Sequence, residues 1–222
     1  MIEAVANRRV VLSLCDLTGN FVQPWVEAGY GAVLVDPQHG LDHTEGSVVK
    51  LARTVEDAMP ELSRLLRGSK VALVAAFPPC TDLAVSGARW FKRKAEDDPL
   101  FQARAGMLAE SCRTIGAVSG APWFVENPVS VLSSLWGPPD FTFQPWHYTG
   151  WEAADNYTKK TCLWAGGGFD LPPTRRDAAL PEPDDRIHKA PPGPERANFR
   201  SATPMGFSRA VFARMNGGLG RA

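Results

Sequence analysis

Val71-Ala72-Leu73-Val74-Ala75-Ala76-Phe77-Pro78-Pro79-Cys80 is the stretch that decides how this sequence is read. Its first six residues form an unbroken apolar run, the pattern of a parallel strand buried on both faces. Two prolines then stop the strand, because each fixes φ and lacks a backbone donor. The Cys80 thiol is thereby set just past the carboxyl end of a strand, the edge at which open α/β sheets bind ligands. Downstream, Trp123-Phe124-Val125-Glu126-Asn127-Pro128 repeats the arrangement, an apolar strand ending in a carboxyl, an amide and a proline. A thiol and a carboxyl at the ends of neighbouring strands make a nucleophile and proton-donor pair. A free cysteine is more often a small buried hydrophobe. Here the Pro-Pro stop and the matching Glu-Asn-Pro favour chemistry.

Outward from this pair, the rest of the chain reads as an α/β domain. Arg9 to Asp16 is a central strand ending in a carboxylate, Leu17 to Asn20 a turn, and Phe21 to Ala28 a short helix stopped by Gly29. Gly31 to Asp36 is a second buried strand ending in Asp, which completes a βαβ unit of a Rossmann-like sheet. The Asp16 to Gly19 turn lets backbone approach a cofactor, and Asp36 can accept two ribose hydroxyls. Ser47 to Met59 and Pro60 to Arg67 carry helical patterns, and Gln102 to Val118 an amphipathic helix that holds Cys112 as a core residue. Tyr157 to Trp164 reads as a strand that carries Lys159 and Lys160. Between these, Thr81 to Pro99 has little periodicity but contains Arg89-Trp90-Phe91-Lys92-Arg93-Lys94. Cations interleaved with aromatics suit phosphate contact and base stacking; the bland alternative is a solvated loop or helix start. The later aromatics (Phe141, Phe143, Trp146, Tyr148, Trp151) are a stacking platform or, more commonly, sheet core.

Bulk properties bound the function. The 222 residues suffice for one sizeable α/β domain, and 44% hydrophobic content supports a real core. Basic and acidic residues balance at 24 each, so a strong global attraction for nucleic acid is absent and any such contact must be local. The four cysteines (15, 80, 112 and 162) include no Cys-x-x-Cys pair, which argues against a structural zinc site or a disulfide framework. His39 and His43 have no third ligand beside them and read as a surface loop, so no metal site is expected. No apolar run reaches membrane-spanning length and no secretory segment opens the sequence, so the expectation is a cytoplasmic protein without membrane contact.

Pro78-Pro79-Cys80 and Glu126-Asn127-Pro128 resemble the Pro-Cys and Glu-Asn-Val signatures of the C5-cytosine DNA methyltransferases, in the same order and at the ends of similar strands. The resemblance implies an S-adenosyl-L-methionine-dependent methyltransferase sheet, a single Rossmann-like α/β domain with helices on both faces. It implies Cys80 as nucleophile, Glu126 as partner of cytosine N3 and Asn127 as the residue that holds their geometry. It assigns Asp16, Leu17, Thr18, Gly19, Asp36 and Pro78 to the cofactor, with Asp57 (or its rival Glu56) meeting the adenine amino group. Pro79, Arg89, Trp90, Lys92 and Arg93 fall to the substrate, on a segment that looks like the family's mobile loop. The family's first motif has later glycines where this chain has Asn20 and Phe21. Its Gln-x-Arg-x-Arg pattern, whose arginine meets the cytosine carbonyl, is absent, which leaves Lys159 or Lys160 as substitute donors.

The implied organisation is a catalytic domain over 1–165, a Pro/Gly-rich loop over 166–198 and a C-terminal helix segment, 199–222, that packs back beside the cofactor. The loop stands where the family carries a target-recognition domain, which a stretch this short cannot hold. DNA, duplex or single-stranded, or a cytosine nucleotide is the expected partner, with short or relaxed specificity or a targeting protein. Two other readings stay open: a related C5-modifying enzyme with a different donor or a free nucleotide as substrate, and a degenerate nucleic-acid-binding module.

Overall fold

The computed structural model describes residues 1–5, 7–191, 193 and 196–217. Its strands are β1 (Arg9–Leu14), β2 (Gly31–Val35), β3 (His43–Glu45), β4 (Val48–Leu51), β5 (Lys70–Ala76), β6 (Trp123–Asn127), β7 (Phe141–Phe143) and β8 (Thr161–Gly166). They form one sheet in the order β3-β4-β2-β1-β5-β6-β8-β7. The run from β4 to β6 is parallel, while β3 and β8 are antiparallel to their neighbours. The α-helices are α1 (Gln23–Glu27), α2 (Met59–Gly68), α3 (Phe91–Asp97), α4 (Phe101–Val118), α5 (Leu132–Trp136), α6 (Arg186–Lys189), α7 (Arg196–Ser201) and α8 (Met205–Asn216).

Side chains alternate across the central strands because successive residues of a strand point to opposite faces. Val10, Leu12 and Leu14 of β1 face α2 and α4, packing with Leu62, Leu65, Cys112 and Ile115. Val11 of β1 and Leu73 and Ala75 of β5 face the other way, toward Trp25 of α1 and Phe207 and Val211 of α8. The result is a single α/β domain with helices on both faces, compatible with a Rossmann-like sheet. The chain moves outward from β1 to β3, then returns to the far side of β1 as β5. The crevice outside the carboxyl ends of β1 and β5 is therefore the switch point where such sheets take ligands.

Four segments differ from the sequence-based expectation. Residues 48–51, expected within a helix, form β4, because Val49 and Leu51 bury fully while the backbone pairs with β2; a sheet neighbour overrides local periodicity. Thr81 to Pro99, which resembles the family's mobile loop with a solvated loop or helix start as the alternative, is a 3₁₀ turn (Val85–Trp90) followed by α3. Lys159 and Lys160 precede β8 instead of riding on it. The Thr158 N–H bonds Asp184 O and the Lys159 N–H bonds the Gln144 side chain, so these donors are satisfied outside the ladder. The stretch expected as loop, 166–198, contains α6 and the start of α7. Residues 218–222 of the expected C-terminal segment lie outside the described residues.

The C-terminal helix is fastened by Phe207, whose ring stacks on Phe143 at 4.2 Å and 14° and also meets Phe21, Phe124 and Tyr148. Phe207→Ala is expected to destabilise the protein by about 3–5 kcal/mol. Urea unfolding should show this as a lower midpoint, and an unchanged midpoint would remove Phe207 as the anchor.

Candidate active site

Small, fully buried Ala75 and Ala76 carry β5 to its end, and the Phe77 N–H still pairs with Leu14 O at 2.9 Å. Pro78 and Pro79 then have no N–H to give. Pro78 O is instead held from the neighbouring strand by Asn127 Nδ2, which donates to it at 2.9 Å in a buried setting. Two backbone bonds continue this stitching: Val85 N–H to Val129 O and Val131 N–H to Leu83 O, both at 3.0 Å. The loops after β5 and β6 are one clamped unit, which fixes Cys80 relative to Glu126.

Electrostatics link the two side chains. Burial raises the pKa of the half-buried Cys80 thiol, and the Glu126 carboxylate raises it further; Lys159 and Arg200 pull it back. Burial likewise raises the Glu126 carboxyl, with Lys159 opposing. Both groups are thus biased to their neutral forms, as desolvation favours. Glu126 opens onto a narrow cleft bordered by Phe77, Lys159, Thr203, Pro204 and Phe207. Lys159 Nζ donates to Ser201 O and Ala202 O, both at 3.3 Å, so it braces the approach to α8.

The carboxyl ends of β1 and β2 form the expected cofactor side. Cys15 adopts φ +56°, a left-handed conformation that non-glycine residues rarely take. Asp16 is buried and accepts from Ser13 Oγ at 2.7 Å and Gly19 N at 2.8 Å, closing its own turn. Gly19 has φ +70°, and a Cβ there would lie 3.0 Å from Leu34 Cδ2, so the turn requires glycine. Leu17 is half-buried and Thr18 exposed. Asp36 is buried, with Oδ1 accepting from Gln38 N at 2.8 Å. Nearby, His39 Nε2 is buried without a hydrogen-bond partner among the described residues. Burial lowers the His39 pKa, while the charges of Asp36 and Asp16 oppose that. These residues fit a ligand rich in hydroxyls and amines: an orphaned imidazole nitrogen and a buried carboxylate lie near each other at the carboxyl end of β2.

Cys80, Glu126, Asn127, Pro78 and Lys159 therefore converge, whereas other expected site residues stand apart. Asp57 is exposed and bonded to Thr54 ahead of α2, and Glu56 is exposed beside it. Arg89 lies over Trp90 at 5.1 Å, and both are exposed with Lys92 and Arg93 on the outer surface. Pro79 is exposed next to Cys80, and Lys160 acts on Cys162 rather than on Cys80. Lys94 is structural, its Nζ donating to Thr81 O and Asp82 at 3.0 and 2.5 Å. Arg200 and His39 join the site without any motif in the sequence to mark them. Among the described residues, no group of three or more His, Cys, Asp or Glu side chains is placed to hold a metal ion, and no helix is long and apolar enough to cross a membrane. No model of a known protein family matches this chain, nor does any curated protein.

Because the Glu126 carboxylate holds the thiol proton on, Glu126→Gln should lower the apparent pKa of Cys80. The pH profile of iodoacetamide alkylation, mapped to Cys80 by peptide mass spectrometry, reads this directly. A profile that does not move, or moves to higher pH, would separate the two residues.

Proposed function

We propose that this protein is an S-adenosyl-L-methionine-dependent methyltransferase acting on C5 of cytosine in DNA through a covalent adduct with Cys80. The observation that carries the reading is the clamped pair at the ends of β5 and β6: a thiol beside a carboxyl that burial holds toward its neutral, proton-donating form.

The chemistry follows from those states. Cytosine C5 is too weak a nucleophile to attack an electrophilic carbon unaided. Addition of the Cys80 thiolate at C6 pushes the C5–C6 π electrons onto C5. A neutral Glu126 donates a hydrogen bond to N3 and draws electron density from the ring, which eases that addition. Lys159 and Arg200 favour the thiolate that burial disfavours. The Asp16–Gly19 turn, Asp36 and His39 would hold S-adenosyl-L-methionine, which would supply an electrophilic methyl group and leave as the neutral thioether S-adenosyl-L-homocysteine. Loss of the C5 proton and expulsion of the Cys80 sulfur restore the aromatic ring. A base in duplex DNA must first leave the stack, and exposed Trp90 with Arg89, Lys92 and Arg93 suits stacking and phosphate contact near the Cys80 loop. With only a short loop over 166–198 where the family carries a recognition domain, target choice falls to a short sequence context or to a partner protein.

One observation favours a second reading. Phe21, where the family has glycine, is fully buried and packs against Phe77 and Phe124, so a bulky core side chain follows the turn where the family has bare backbone. A different C5 donor fits that change, and mass spectrometry of small molecules retained by the purified protein distinguishes it.

Methyl-labelled S-adenosyl-L-methionine incubated with duplex DNA, single-stranded DNA or dCTP should yield 5-methylcytosine in at least one case. Cys80→Ala should reduce the yield by at least about a thousandfold. Undiminished methylation by that variant would rule out the mechanism.

A further inference from the structure

The cleft beside Glu126 is bordered on one side by Thr203, Pro204 and Phe207, and the segment that carries them, 200–207, is fixed at three points. Lys159 Nζ holds the Ser201 and Ala202 carbonyls. The Gly206 N–H donates to Asp155 at 2.6 Å, and Phe207 is locked in the core. Thr203 and Pro204, between those points, border the cleft itself. Arg200 begins the segment, in the last turn of α7. Its Nε is buried and has no hydrogen-bond partner among the described residues. A buried guanidinium donor without an acceptor is costly, so an acceptor brought by a ligand accounts for it. Lys159 is the weaker choice for that role, because carbonyls already occupy its ammonium.

Charge points the same way. Two cations, Lys159 and Arg200, act on Cys80 against the single carboxyl of Glu126, so positive charge predominates there. Arg200 also stands near enough for its charge to act on Cys80. Arginine keeps its charge at any working pH and offers a planar fork of donors, which suits an oxygen acceptor better than a lysine does.

We infer that Arg200 is a substrate-binding residue of this site, its guanidinium taking an oxygen of the substrate beside Cys80 and Glu126. Only the nature of the substrate rests on the proposed function. The oxygen is a ring carbonyl or a phosphate, and the C-terminal segment, not a strand motif, delivers the cation to it.

The test compares two alkylating agents of similar size on the full chain, anionic iodoacetate and neutral iodoacetamide, with each rate mapped to Cys80. Arg200→Gln should lower the iodoacetate-to-iodoacetamide rate ratio by about three- to tenfold, while Arg200→Lys should keep most of it. Thermal melts establish that both variants fold. An unchanged ratio in folded Arg200→Gln overturns the inference. Protection of Cys80 by deoxycytidine that is lost in Arg200→Gln identifies the ring carbonyl, and lost protection by inorganic phosphate identifies a phosphate. Methyl transfer is not measured, so an absence of methyltransferase activity would leave this result standing.

Discussion

The hydrogen bond from Asn127 Nδ2 to Pro78 O is the constraint on which the site depends. Two consecutive prolines make the chain after β5 stiff but strip it of donors, so it cannot extend the sheet or hold itself. A side-chain amide from the end of β6 supplies the missing bond, and the backbone links from Val85 to Val129 and from Val131 to Leu83 extend the clamp. A thiol held this way on strand ends needs little reorganisation before reaction, which is how positioning lowers a barrier. Removing the amide would leave a buried carbonyl without a donor, at about 1–3 kcal/mol, and would release Cys80 from Glu126.

Burial around this clamp sets the protonation states. It favours the neutral carboxyl that a hydrogen-bond donor requires and the neutral thiol that a nucleophile must leave. The two needs conflict, and the cations reconcile them: Lys159 and Arg200 restore part of the thiolate without entering the ladder of the sheet. In the proposed function the C-terminal segment is therefore part of the site rather than a cover over it. Phe207 secures that segment from below, so the aromatic core and the chemistry at the sheet edge are one construction.

Much of the fold was legible in the sequence because buried parallel strands are long apolar runs with abrupt stops. Residues 10–14, 31–35, 71–76 and 123–127 all showed this, and the pairing of Cys80 with Glu126 followed from their ends. β4 was misread because its four residues resemble a helical repeat until β2 lies beside them. The lysines before β8 were misplaced because the Thr158 and Lys159 N–H groups are satisfied by Asp184 and Gln144, partners that no local pattern reveals. Arg200 was invisible for the same reason: it reaches Cys80 only through the fold. His39 does lie in a surface turn, but its buried ring nitrogen leaves no mark on the sequence.

The central claim is a covalent bond between Cys80 and cytosine C6, completed by transfer of a group to C5. An oligonucleotide containing 5-fluorocytosine tests it most directly, because fluorine cannot leave C5 as a cation and the adduct persists. With S-adenosyl-L-methionine present, intact-mass and peptide analysis should find the oligonucleotide attached at Cys80 and heavier by one methyl group. Methylated product from ordinary cytosine, with no adduct at Cys80 from the fluorinated base, would contradict the account.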